Sequence, residues 1–142
     1  MRRGFSLPEL ALVLALVGTL LALATPRLWV LQDHWAVDRA VHELITFYQV
    51  ARFRAVVRSS RVRLEIRQDS LRAVFEGVTD SVAFVWPGPA RHGVRLTASR
   101  AVITIGPTGI GWGGANTKLV LRRGEAGDSL TTSRLGRLKR WN

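Results

Sequence analysis

Residues 2–26 read RRGFSLPELALVLALVGTLLALATP, and their reading decides the rest of the chain. From Phe5 to Ala24 only Ser6, Pro8, Glu9, Gly18 and Thr19 are not strongly apolar. A helix rising about 1.5 Å per residue over that run spans roughly 30 Å, the thickness of a bilayer's hydrocarbon core. Arg2 and Arg3 precede it, so the positive-inside bias places the N-terminus in the cytoplasm and the remainder outside. Glu9 is the anomaly. A carboxylate beside lipid is costly unless it is paired or reaches the interface.

Three fates of this segment treat Glu9 differently. As a cleaved secretory signal, Ala22-Leu23-Ala24 fits the small-x-small pattern and would release a chain starting at Thr25. Glu9 then interrupts the start of the apolar region. As an uncleaved anchor, the segment leaves Glu9 without a purpose. The third fate rests on Gly4-Phe5-Ser6-Leu7-Pro8-Glu9-Leu10, with basic residues before it and a long apolar run after. This pattern closely resembles the class III signal of type IV pilins and pseudopilins.

The resemblance implies that a membrane-embedded prepilin peptidase cuts between Gly4 and Phe5 and methylates the new N-terminus at Phe5. It makes Glu9 the acidic residue near the start of the mature helix. The amine exposed on Phe5 has a reference pKa of about 8 and is mostly charged at neutral pH. Glu9 can neutralise the amine of a neighbouring subunit, and because either charge alone in an apolar filament core is costly, the pair sets register. Pro8 departs from the commoner aliphatic residue there, but proline is tolerated in a first helical turn. Gly18 and Pro26 stand where many pilin helices carry a glycine and a proline, and Pro26 is expected to kink or open the helix.

The helical pattern continues past Pro26. Val37, Val41, Leu44, Tyr48, Ala51 and Ala55 recur at spacings of four and three, marking an apolar stripe suited to packing on a sheet. After Ser59-Ser60 the period switches to two: in Arg61-Val62-Arg63-Leu64-Glu65-Ile66-Arg67 every even position is apolar. Further strands are expected at 71–75, 81–86, 94–97, 101–105, 118–122, 130–133 and 135–139. Breaks are expected at 68–70, 87–89, 106–109 and 124–128. The predicted fold is α+β: one long N-terminal helix on an antiparallel two-sheet or sandwich domain, pilin-like. The expected organisation is a leader at 1–4, a transmembrane and filament-core helix at 5–26, its amphipathic half at 27–58, and a periplasmic β-rich domain at 59–142.

The element order, the Gly106-Pro107-Thr108-Gly109 turn and the ending Ser133-Arg134-Leu135-Gly136-Arg137-Leu138-Lys139-Arg140 resemble the GspH/FimT branch, minor pseudopilins of type II secretion and related minor pilins. Members often finish with a Gly-Arg-x-Arg-like strand, and here Lys139 stands at the second Arg position. The resemblance implies a structural subunit with no cofactor, held in a bacterial inner membrane by a single pass. Its implied partners are prepilin peptidase, other pilins or pseudopilins in a filament, and inner-membrane lipid.

Composition supports a binding or structural protein over an enzyme. The absence of cysteine excludes disulfides, thiolate metal sites and cysteine nucleophiles. His34, Asp38 and His42 share a helix face, but two full turns separate the histidines, and they read as solvated polar residues. Gly109-Ile110-Gly111-Trp112-Gly113-Gly114 lacks the Lys-Ser/Thr of a phosphate loop and reads as a surface loop with Trp112 at its tip. Lys plus Arg outnumber Asp plus Glu by 21 to 10, a net charge of +11 that favours anionic partners. Arg122, Arg123, Arg134, Arg137, Lys139 and Arg140 crowd the C-terminus beside Trp141. Such a set can grip phosphates while the aromatic stacks on a base, so DNA is the alternative partner, as the FimT-like resemblance also implies. The same cations would equally discourage edge-to-edge strand pairing.

Overall fold

A computed structural model of the chain describes residues 6–114 and 116–141, except for the side chains of 23–26. Gly4 and Phe5 lie outside the described residues, as does the side chain of Pro26. The backbone divides into two units, residues 1–32 and 33–142. One α-helix, α1 (Leu7–Val57), supplies the described part of the first and the opening of the second.

In the first unit the helix begins at Ser6, whose carbonyl accepts from the Glu9 and Leu10 amides at 3.0 and 3.1 Å. Glu9 Oε2 lies 3.5 Å from both the amide and the hydroxyl of Ser6. Glu9 thus supplies the carboxylate half of a capping box, and Pro8 sits where a missing amide hydrogen breaks no helical bond. The apolar residues that follow are exposed all round: Leu7, Leu12, Leu16 and Leu20 are each at least 60% accessible. Thr19 turns its hydroxyl back onto the Ala15 and Leu16 carbonyls, at 3.0 and 2.8 Å, and so satisfies its own polar group within the helix. This stretch is long and apolar enough to cross a membrane.

In the second unit the stripe turns inward. Val37, Val41, Leu44, Tyr48, Ala51 and Ala55 are all buried, joined by Ala36, Ala40 and Phe47. Phe47, off the expected stripe, is fully buried and meets Phe84 and Trp86 edge-on, at centroid distances of 5.2 and 5.8 Å. The helix closes with the Ser60 amide on the Ala55 carbonyl and the Ser59 amide on that of Val56, both 3.1 Å. Ser59 accordingly adopts a left-handed φ of 48°, the conformation a Schellman ending requires.

Nine strands follow among the described residues, forming two sheets. The first holds β1 (Arg61–Ile66), β2 (Ser70–Glu76), β3 (Ser81–Pro87), β5 (Val102–Ile105) and β6 (Gly111–Trp112), in the order β3-β2-β1-β5-β6. The second holds β4 (Arg95–Ala98), β7 (Thr117–Arg123), β8 (Ala126–Thr132) and β9 (Leu138–Trp141), in the order β4-β7-β8-β9. Every ladder is antiparallel. Val62, Leu64 and Ile66 face the core as the period-two pattern predicts, and Leu119, Leu121 and Leu130 answer from the second sheet. A bulge in the β2–β3 ladder at Ala73/Val74 lets both residues be buried in succession. Gln68 ties the β1–β2 turn to β4, donating to the Val94 carbonyl and accepting from the Leu96 amide, each at 2.7 Å.

Three sequence expectations need correction. The break expected at 124–128 is only the two-residue turn Gly124-Glu125. Gly124, at φ 54°, makes a tight hairpin possible, and β8 begins at Ala126 instead of Leu130. The last strand starts at Leu138, not Leu135, because Ser133–Arg137 is a turn closed by the Ser133 amide on the Arg137 carbonyl at 2.8 Å. Trp112 lies in a short strand pairing β5 through Thr104, with the Arg61 guanidinium 4.0 Å over its ring, and is not the tip of a free loop.

Candidate functional site

Two features of the chain call for a partner: the apolar start of α1 and the basic surface of the second sheet. At the helix start, the Glu9 carboxylate contacts Ser6 only at long range and remains exposed. Its capping contacts leave it able to meet an external cation. Gly18, with no atom within 4 Å of where a Cβ would stand, leaves a notch in the apolar surface. Small residues of this kind let helices approach closely where packing, not the hydrophobic effect, drives association.

The six C-terminal cations named from sequence separate into three groups. Arg123 and Arg140 are fasteners. Arg123 Nε lies 2.8 Å from Asp33 Oδ1, and its Nη1 donates to the His92 carbonyl at 2.5 Å. Arg140 bridges two carboxylates, Asp38 at 2.8 Å from the helix and Asp128 at 2.6 Å from β8. Burial works against the Arg140 charge, but the hydrogen bonds and charges of Asp38 and Asp128 outweigh it, and the pKa rises. Asp38 is thereby committed to Arg140. His42 holds Asp38 as well, with Nδ1 2.9 Å from its carbonyl oxygen. Glu43 completes the set of helix acids, five residues on, by engaging Arg91 and His92.

Arg122 and Lys139 belong to a second group, on the outward face of the second sheet. Strand alternation puts Arg95, Lys118, Arg122, Lys139 and Trp141 on that face together. Arg95 stands opposite Arg122, Ser129 opposite Trp141, and Thr131 opposite Lys139. Trp141 donates its indole N–H to Thr131 Oγ1 at 3.0 Å, and Lys139 Nζ lies 3.6 Å from the ring centroid. Lys118, Arg122 and Trp141 line an open trough of about 610 Å³, and Arg95 and Arg122 a neighbouring hollow of about 400 Å³. Glu125 is the exposed carboxylate on its rim. Arg95 and Lys118 escaped the sequence reading because they lie outside the C-terminal cluster. The signal that reaches them is antiparallel register, which requires the strand pairing.

Arg134 and Arg137 form the third group, both exposed in the Ser133–Arg137 turn. The Arg134 carbonyl accepts from the Gly111 amide at 2.9 Å, joining this turn to the 106–111 segment. Among the described residues, no group of three or more His, Asp or Glu side chains could hold a metal ion.

A long helix entering an antiparallel two-sheet domain is the arrangement found in known pilins. Two crystal structures of the type IV minor pilin FimU of Pseudomonas aeruginosa (strain PAO1), in space groups P21 and P65, are similar to this chain. Their TM-scores are 0.61 and 0.60, covering 72% and 74% of this chain and 86% and 92% of theirs. The chain has a type IV pilin fold. Sequence identity to both is 16%, so the likeness is one of architecture. No protein-family model matches the sequence, and no curated protein matches it.

Proposed function

We propose that this chain is a minor pilin or pseudopilin of the GspH/FimT type, a structural subunit of a type II secretion or type IV pilus filament. Prepilin peptidase cuts it between Gly4 and Phe5 and methylates Phe5. The mature chain waits in the bacterial inner membrane with its β-rich domain in the periplasm. It enters the filament through the helix of residues 5–26, with Glu9 neutralising a neighbour's amine and Pro26 shaping the helix as it leaves the lipid. The observation that carries this reading is a pilin fold whose helix begins in a wholly exposed apolar stretch bearing one acidic residue, Glu9. Intact mass of the protein from native membranes tests it. The expected species begins at Phe5 and carries one added methyl group, while a chain beginning at Thr25 would make this an exported soluble domain.

A second reading is favoured by the outward face of the second sheet. Arg95, Lys118, Arg122 and Lys139 around Trp141 suit a single-stranded or duplex DNA backbone, as on a DNA-uptake pilus. Such binding is sequence-blind and weakens steeply with salt. Exchanging Lys118 and Arg122 for glutamine would reduce the salt slope by about two if both touch phosphate, and leave it unchanged if the face is merely solvated.

A further inference from the structure

Between α1 and β9 lies a pocket of about 290 Å³ that neither reading uses. Arg52, Arg137 and Arg140 line it with Tyr48, while Ile45 and Leu138 supply apolar walls, and no carboxylate belongs to the lining. The Arg140 charge is already matched by Asp38 and Asp128. Arg137 has no side-chain ion-pair partner among the described residues, and Arg52 makes a long 3.3 Å bond to the Gly136 carbonyl. Tyr48 is 4% exposed, and its hydroxyl is buried without a hydrogen-bond partner among the described residues. A buried hydroxyl left unmade is unfavourable, so its retention calls for an explanation.

The surrounding turns lie against Arg52. Gly109 and Gly136 both have left-handed φ, 76° and 73°, and both face Arg52. A Cβ on Gly109 would stand 3.1 Å from Arg52 Nε, and one on Gly136 would stand 3.5 Å from the same atom. Two turns from different sheets thus present bare backbone to one guanidinium, whose own bond is weak enough to exchange for a better acceptor.

We infer that this pocket takes the carboxylate of a glutamate side chain presented by a neighbouring protein chain, a reading that rests on the proposed subunit role. A carboxylate is planar and accepts two parallel bonds from a guanidinium, here Arg137 or Arg52. The Tyr48 hydroxyl, a lining group without a partner among the described residues, donates to the same carboxylate. Ile45 and Leu138 pack along the aliphatic stem. The volume lies at the low end of ligand sites, which suits one side chain better than a nucleotide with its sugar and base.

The test titrates the full chain, in detergent micelles, with a short capped alanine peptide carrying one central glutamate, following arginine Nε–H resonances. The expected result is saturable shifts at Arg52 and Arg137. Binding should weaken about tenfold in Arg137→Gln and about fivefold in Tyr48→Phe, which keeps the packing. Equal shifts from the matching glutamine peptide, or none from the glutamate peptide, would overturn the inference. So would unchanged affinity in both variants. Tighter binding of dimethyl phosphate would replace the carboxylate with a phosphodiester, and tighter binding of free glutarate would replace the neighbouring chain with a small metabolite. None of these outcomes bears on where the N-terminus is cut, so the subunit role stands or falls separately by mass.

Discussion

Tyr48 shows how a single group gives the fold a pH dependence. Burial pushes its phenol above the ordinary value, against the opposing influence of the Arg52 guanidinium. The unfolded chain therefore loses this proton first, near pH 10. The contribution of Tyr48 to stability is complete below that pH and is lost as pH rises through the folded-state value. Tyr48→Phe should be neutral or slightly stabilising at pH ~7, because it deletes a buried hydroxyl that has no partner, and should flatten the alkaline loss. Denaturant midpoints for both proteins at about pH 7 and about pH 11 check the sign. Arg140 makes the opposite case. Asp128 is 4% exposed, and Arg140→Met strands its carboxylate. The expected loss is about 2 kcal/mol, less than for a fully buried pair because Arg140 is 32% exposed. Adding Asp128→Asn should recover part of it, which a double-mutant cycle measures.

At the scale of elements, what could be read from sequence was what period alone determines. The stripe from Val37 to Ala55 and the alternation in β1 are long enough to declare their type, and their buried residues are the expected ones. The starts of β8 and β9 differ from the expected ones, the first because Gly124 reads as part of a longer break and the second because Gly136 reads as part of the strand. Gly124 makes a turn so tight that the strand resumes within two residues, whereas Gly136 sits inside a turn that delays β9. Those outcomes depend on φ, which composition does not reveal. The candidate site followed the same rule. A cluster in sequence named Arg123 and Arg140, which the fold spends on Asp33, Asp38 and Asp128, and passed over Arg95 and Lys118, which only register brings alongside Arg122. The helix ending offers a prediction at this scale. Ser59 holds a left-handed φ of 48° that glycine adopts without steric cost. Ser59→Gly should raise stability by about 1 kcal/mol, read as a higher denaturant midpoint with an unchanged slope.

Across the whole molecule, the core begins at Ala36, and among the described residues none before it belongs to the buried cluster. A chain starting at Asp33 retains every buried hydrophobic residue and the Asp33–Arg123 pair. It should be soluble without detergent and should unfold cooperatively, which circular dichroism and thermal melts would show. Failure of that shortened chain to fold would mean that the apolar segment stabilises the domain as well as carrying it.

The acids on the helix and sheets have one more consequence. Seven of the ten, Asp33, Asp38, Glu43, Glu65, Glu76, Asp80 and Asp128, are engaged by cations of the same molecule. The cationic surplus of the described residues is therefore carried with little acid left to offer a neighbour. Two copies stacked side by side would repel one another, and the repulsion would accumulate along a fibre built from this chain alone. On the proposed subunit role, a chain so charged is suited to being dispersed singly among neighbours of opposite or lower charge.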